Sequence, residues 1–106
     1  MKKHVIEAPV LENVPIADGI YRMVFHAQLL AIEAQPGQFV MVMKPDDQAA
    51  FLRRPFGIAD ADPAAGTITI IYRLVGRGTK AFAKMKQGDL LSVEGPIGHG
   101  FTLREG

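Results

Sequence analysis

With 106 residues, 48% of them hydrophobic and 22% charged, the chain has room for one modest core and a composition that argues against global disorder. A net charge of +1, from 12 Lys and Arg against 11 Asp and Glu, leaves no broad basic field of the kind that nonspecific nucleic-acid binding needs. The lack of cysteine excludes disulfides, thiolate metal sites and cysteine-ligated iron–sulfur clusters within these residues.

The opening Met1-Lys2-Lys3 has the charge of a signal-peptide start, but Glu7, Pro9 and Glu12 interrupt any apolar stretch behind it. The densest apolar run, Phe39 to Met43, is far too short to span a bilayer, so a cytoplasmic protein with no membrane partner is expected. His4 to Ile16 and Gly19 to Ala27 read as extended segments on either side of the turn Ala17-Asp18-Gly19. In the second segment Tyr21, Met23 and Phe25 share one face, and Ile20, Arg22, Val24 and His26 the other, which predicts a half-buried strand with its larger residues inward. After the turn signal Pro36-Gly37, "QFVMVMK" is apolar on both faces and suits a central strand of a covered or closed sheet. Phe51 to Asp60, "FLRRPFGIAD", is a strand-like run carrying two arginines. The loop "DADPAAG" then leads into Thr67 to Val75, the stretch richest in β-branched residues. Only "GTKAFAKMK" reads as helical, at about two turns, with Ala81, Phe82 and Met85 as its short apolar stripe. The turn "KQGD" introduces a last strand from Leu90 to Gly95. Short strands, frequent turn signals and one short helix predict a small antiparallel barrel or sandwich. The ending "FTLREG", with no sealing element, reads as that of a domain cut from a longer polypeptide.

Burying an unpaired guanidinium is costly, so Arg53 and Arg54 must reach water or an anion. Pro55 fixes its own φ and presses Arg54 toward an extended backbone, while Gly57 allows a ligand close to the main chain. The arginine fork suits a phosphate or pyrophosphate. Taken alone, Arg54 is better explained by pairing with Asp60 or Asp62, and Phe56 by the core. Farther on, a strand runs through Gly76-Arg77-Gly78-Thr79 into the helix, a phosphate-binding arrangement whose plain alternative is a helix entry capped by Thr79. The spacing Gly76-x-Gly78-x-x-Ala81, with Glu94 as a ribose acid, also fits a dinucleotide fingerprint, but the helix is short and a β-meander precedes it. Alternation puts Tyr72 with Ile70 and Leu74, and Arg73 on the opposite face with Ile71, where it can serve the same anion. "EGPIGHGF", Glu94 to Phe101, reads as irregular turns with His99 at the surface, and the three histidines show no metal-ligand spacing.

Together and in this order, "RRPFGIAD", "IIYRLVGRGTKAF" and "GDLLSVEGPIGHGF" resemble the flavin-binding domain of the ferredoxin-reductase superfamily. Within it the chain is most similar to the electron-transfer subunits of bacterial dihydroorotate dehydrogenases, whose opening segments are similar to "VLENVPIADGIYRMVFHA" and "PGQFVMVMK". The resemblance covers nearly the whole chain. It implies an all-β fold, a small six-stranded antiparallel Greek-key barrel with one short helix, and FAD as cofactor. Residue by residue, it implies that Arg54 pairs with the FAD pyrophosphate and that Pro55 shapes the strand end. Phe56 stands where the superfamily often has a tyrosine against the flavin ring, and Gly57 where it usually has Ser or Thr near the reactive edge. Ile71, Tyr72 and Arg73 would line the flavin and its ribityl chain, and Gly78 and Thr79 would give main-chain N–H groups to the pyrophosphate.

The same resemblance implies that residues 1–106 are the FAD domain of a longer protein whose nicotinamide-binding and iron–sulfur regions lie elsewhere. Hydride from NADH would reach FAD there, and electrons would pass singly through the cluster to a catalytic dihydroorotate dehydrogenase subunit in pyrimidine biosynthesis. Two other readings stay open. One is the FAD domain of a related ferredoxin- or sulfide-linked reductase subunit. The other is a non-enzymatic small-barrel binding module, which would call for a basic face with exposed aromatics.

Overall fold

Period-two alternation of apolar and polar residues sets the architecture, because each strand can then offer one face to a shared interior. A computed structural model of the chain describes residues 4–35, 37–44 and 53–97, except the side chains of His4, Arg77 and Gly78. The elements in order are β1 (His4–Ala17), β2 (Ile20–His26), α1 (Gln28–Glu33), β3 (Phe39–Met43), β4 (Arg54–Asp62), β5 (Thr67–Arg73), α2 (Arg77–Ala83) and β6 (Leu90–Ile97). The six strands close into an antiparallel barrel in the order β1-β2-β5-β4-β3-β6. β3, β4 and β5 form a meander and β6 returns beside β3, which is the Greek-key order. The expected all-β Greek-key barrel is the observed fold.

The inward faces fill the barrel. Val10, Met23, Phe25, Val40, Val42, Ile68, Leu91 and Val93 have no exposed surface. A side chain such as Phe25, fully removed from water, contributes about 1.5–3 kcal/mol. In β2 the buried face is Met23 and Phe25 with Tyr21 partly covered, as alternation predicts. In α2 and the turn after it Ala81, Phe82 and Met85 are buried, so that short stripe joins the hydrophobic core.

One expectation is corrected: among the described residues there are two short helices, not one. α1 is built from good helix formers, Leu29, Leu30, Ala31 and Glu33. Only Leu30 and Ala31 are buried while Leu29 and Ile32 remain exposed, so its apolar residues encircle the helix and make no readable stripe. Strand limits also move slightly. β5 ends at Arg73 rather than Val75, and β6 continues to Ile97. Phe51, Leu52, His99 and Phe101 lie outside the described residues.

The loop between β4 and β5 is a tight, well-bonded turn. Asp62 Oδ1 accepts the N–H groups of Ala64 (3.0 Å) and Ala65 (3.2 Å), and Gly66 closes the turn at φ +72°. The Gly66 carbonyl accepts from the Ala27 N–H at 2.8 Å, which docks the turn against the start of α1. Among the described residues no helix is long and apolar enough to cross a membrane, and no group of three or more His, Asp or Glu is placed to hold a metal ion.

Candidate functional site

Two consecutive arginines enter β4, and the pleat sends them to different neighbours. Arg53 donates to the Ser92 carbonyl (3.1 Å) and to Ser92 Oγ (2.8 Å), and its Nε lies 3.7 Å from Glu94 Oε1. It is a tie between β4 and β6. Arg54 instead lines an open groove of about 390 Å³. β4 contributes Pro55, Phe56 and Gly57 beside it, β5 contributes Ile71, Tyr72 and Arg73, and Val75 and Thr79 complete the wall at the entry to α2. The Ile58–Ile70 register brings these β4 and β5 segments together.

All the sequence-predicted site residues except Gly78 thus line one concavity, and Gly78 sits in the first turn of α2 next to Thr79. Glu94, the ribose acid of the dinucleotide fingerprint, does not join them, because it faces Arg53 on another wall of the barrel. Asp62 is occupied by the turn it caps. Among its described lining residues the groove carries two guanidinium groups and no carboxylate. Ile71 and Val75 are 46% and 74% exposed and give one side an apolar surface for a ligand to cover.

Phe56 and Tyr72 are fixed by packing. Phe56 is only 9% exposed and meets Tyr72 and Phe82 edge-on, with ring centroids 5.7 and 5.6 Å away. It is a core residue beneath the groove. Tyr72 stacks on Tyr21 at 5.7 Å and donates its hydroxyl hydrogen to Asn13 Oδ1 at 2.9 Å. Burial pushes the Tyr72 phenol up to about 12, and the neighbouring Tyr21 adds to the rise. Asn13 Nδ2 in turn donates to the carbonyls of Phe82 (2.8 Å) and Met85 (3.1 Å).

Thr79 holds the corner before α2. Its Oγ1 accepts the N–H groups of Val75 (2.9 Å) and Gly76 (3.1 Å) and donates to the Gly76 carbonyl at 3.0 Å. The hydroxyl therefore does the capping work of the plain alternative, leaving the main chain of Thr79 as its means of meeting a ligand. Gly57 has an ordinary strand backbone and an open outer side, since a Cβ there would meet only Phe39 Cε2 at 3.9 Å.

Sequence reasoning does not reach Val75 as a site residue, nor Asn13 at all. Val75 reads only as the end of a strand. Asn13 does leave a signal, as a poor strand former within an otherwise extended run.

A groove with paired guanidiniums, an apolar side and unobstructed main chain at Gly57 fits a molecule combining linked phosphates with a flat ring system. Comparison with known proteins names the class. Residues 8–101 match the family described as the oxidoreductase FAD-binding domain. This chain belongs to that family. Its cofactor is FAD. This FAD-binding domain is 41% identical over 96 residues to the electron transfer subunit of dihydroorotate dehydrogenase B (NAD(+)) from Bacillus cereus, covering 91% of the chain and 37% of the relative. Against the same subunit from Bacillus velezensis it is 42% identical over 95 residues, covering 90% and 37%. The domain therefore spans 37% of the length of these curated relatives. Among solved structures, an NADH-dependent reduced ferredoxin-NADP oxidoreductase superposes with a TM-score of 0.79 at 29% identity, over 87% of this chain and 33% of that one. A ferredoxin NADP+ reductase from Neisseria gonorrhoeae with bound FAD and NADP matches at a TM-score of 0.69 and 20% identity, over 84% and 36%, and so shares the fold alone.

Proposed function

We propose that this domain holds FAD in the groove between β4, β5 and α2 as part of an electron-transfer subunit of dihydroorotate dehydrogenase. In that role it takes electrons from NADH and passes them to a catalytic dihydroorotate dehydrogenase subunit. The observation that carries the reading is the meeting of Arg54, Arg73 and an exposed apolar wall in one groove with no carboxylate among its described lining residues, in a chain 41% identical to such subunits. An iron–sulfur cluster on the electron path belongs to this proposal as well, with its ligands outside these cysteine-free residues.

Bound FAD supplies the two-electron and one-electron chemistry, and the protein binds and orients it. Arg54 pairs with the pyrophosphate through its fork, and the main-chain N–H groups of Gly78 and Thr79 add donors at the start of α2. Ile71 and Val75 shield one side of the cofactor from water, Arg73 stands at the polar rim, and Pro55 and Gly57 leave the β4 main chain open to it. Phe56 and Tyr72 support the floor from within the core. A reductase subunit with a ferredoxin-type partner is the second reading, favoured by the TM-score of 0.79 to the ferredoxin-NADP oxidoreductase.

The test is a flavin fluorescence titration of Arg54→Ala and Arg53→Ala. Losing a charge-assisted fork on a pyrophosphate should weaken binding by about 2–4 kcal/mol for Arg54→Ala. Arg53→Ala should bind FAD much as the wild type does, because its hydrogen bonds go to Ser92. Equal losses from both substitutions would overturn the assignment.

A further inference from the structure

We infer that Asn13, which does not line the groove, is a positioning residue for FAD binding. It locks α2 to the groove floor through a single side-chain amide. This inference rests on the proposal that the groove holds FAD.

The three hydrogen bonds of Asn13 join parts of the chain that are remote in sequence. Its Oδ1 accepts from Tyr72 on β5 at 2.9 Å, and its Nδ2 donates to Phe82 at the end of α2 (2.8 Å) and to Met85 in the turn beyond (3.1 Å). Carbonyl oxygens can only accept, so the amide nitrogen must face Phe82 and Met85 and its oxygen the Tyr72 hydroxyl, with the Phe82 carbonyl also taking the Met85 N–H at 3.0 Å. Aromatic contacts close the circuit, with Tyr72 edge-on to Phe56 and Phe56 edge-on to Phe82.

α2 has 7 residues, too few to be stable through its own hydrogen bonds, so its place depends on what grips it. Phe82 lies one turn beyond Thr79, about 4.5 Å along the axis. Asn13 thereby fixes how far the Thr79 end of α2 stands from Arg54 and Tyr72 across the groove. The requirement is for an amide specifically, since Leu lacks all three bonds and ionised Asp lacks both donors.

The experiment compares FAD affinity for the wild type, Asn13→Asp, Asn13→Leu and Leu30→Val, each well below its melting temperature. Leu30 is buried in α1 and outside the groove lining, so Leu30→Val lowers stability without touching the circuit. At about pH 8 the Asn13→Asp carboxylate faces two carbonyl oxygens, and FAD binding should weaken about tenfold. At about pH 5 this carboxyl, protonated because burial and the carbonyls raise its pKa, can donate once more and should recover most of the affinity. The wild type should stay flat over that range. The ionisable groups around the circuit are Tyr72, which donates to Asn13, Tyr21 stacked on it, Glu12 next to Asn13 in sequence with its partner Arg22, and Lys84 and Lys86 on either side of Met85. Asn13→Leu should lose affinity at both pH values.

Wild-type-like binding by folded Asn13→Asp at pH 8 would overturn the inference. So would a loss in Leu30→Val as large as in the Asn13 variants. If Asn13→Asp does not fold, Asn13→Leu decides alone. A wild type that does not bind FAD, or an Arg54→Ala that binds it normally, would instead refute the FAD reading of the groove.

Discussion

Raising the pH should loosen this barrel through one phenol. Tyr72 is 4% exposed, and its ionisation is raised from 10.0 to about 12, mainly because burial penalises the phenolate. In the unfolded chain the same group ionises near its ordinary value. Between these two values the unfolded state releases a proton that the native state keeps, so stability present below pH 10 falls as the pH rises toward 12. A rise of that size is worth on the order of 2–3 kcal/mol at the limit. Tyr72→Phe removes the titration and also one buried hydrogen bond to Asn13, at a cost of about 1–1.5 kcal/mol at neutral pH. The stability curves of wild type and variant should then cross near pH 11, roughly midway between the ordinary tyrosine value and that of the buried phenol. Urea melts at a series of pH values measure this, and phenolate absorbance gives a second readout. If Tyr72→Phe loses as much stability as the wild type between pH 10 and 12, burial of this phenol is not what drives the alkaline loss.

Other substitutions separate binding from folding. Arg53→Ala breaks two hydrogen bonds to Ser92 and the approach to Glu94, and should cost about 1–3 kcal/mol in denaturant melts while FAD affinity holds. Gly66→Ala would force a side chain onto φ +72° and drive its Cβ into Gln28 Oε1 and His26 Nε2, with an expected loss of about 1–3 kcal/mol in the same melts. Gly57→Ser has room, with only Phe39 within 4 Å, and should change stability by less than about 0.5 kcal/mol while restoring a hydroxyl at the β4 rim. A shift in the visible spectrum of bound flavin would place that hydroxyl against the ring.

The strands were legible because alternation and β-branching act locally. β2 shows it most directly, with Met23 and Phe25 inside where the pattern put them. The helix α1 was not legible, because its position depends on the turn of Gly66 and Ala27 that docks it rather than on any periodic face of its own. At the site, Pro55 and Gly57 announced an unusual strand end, and the arginine pair announced an anion. What local sequence could not supply was the division of labour between Arg53 and Arg54. That depends on Ser92 lying beside Arg53, a neighbour 39 residues away. Thr79 was legible as a capping residue, and its hydroxyl is indeed spent on Val75 and Gly76. Asn13 was illegible for the same reason as the arginine split: its partners are 59 to 72 residues distant, and no spacing rule reaches that far.

The order of the strands also sets an order in time. β3, β4 and β5 are consecutive antiparallel neighbours, so the Arg54-to-Arg73 wall can assemble from segments close in sequence. Barrel closure is different in kind. β1 must find β6 across almost the whole chain, and only then can Asn13 take hold of Phe82. Loop entropy makes such distant pairings late and slow. A half-built barrel would therefore already hold its arginines while still lacking the far bank of the groove. In a refolding experiment, strand signal should rise first and flavin quenching should lag behind it, which makes the cofactor a clock for the final closure.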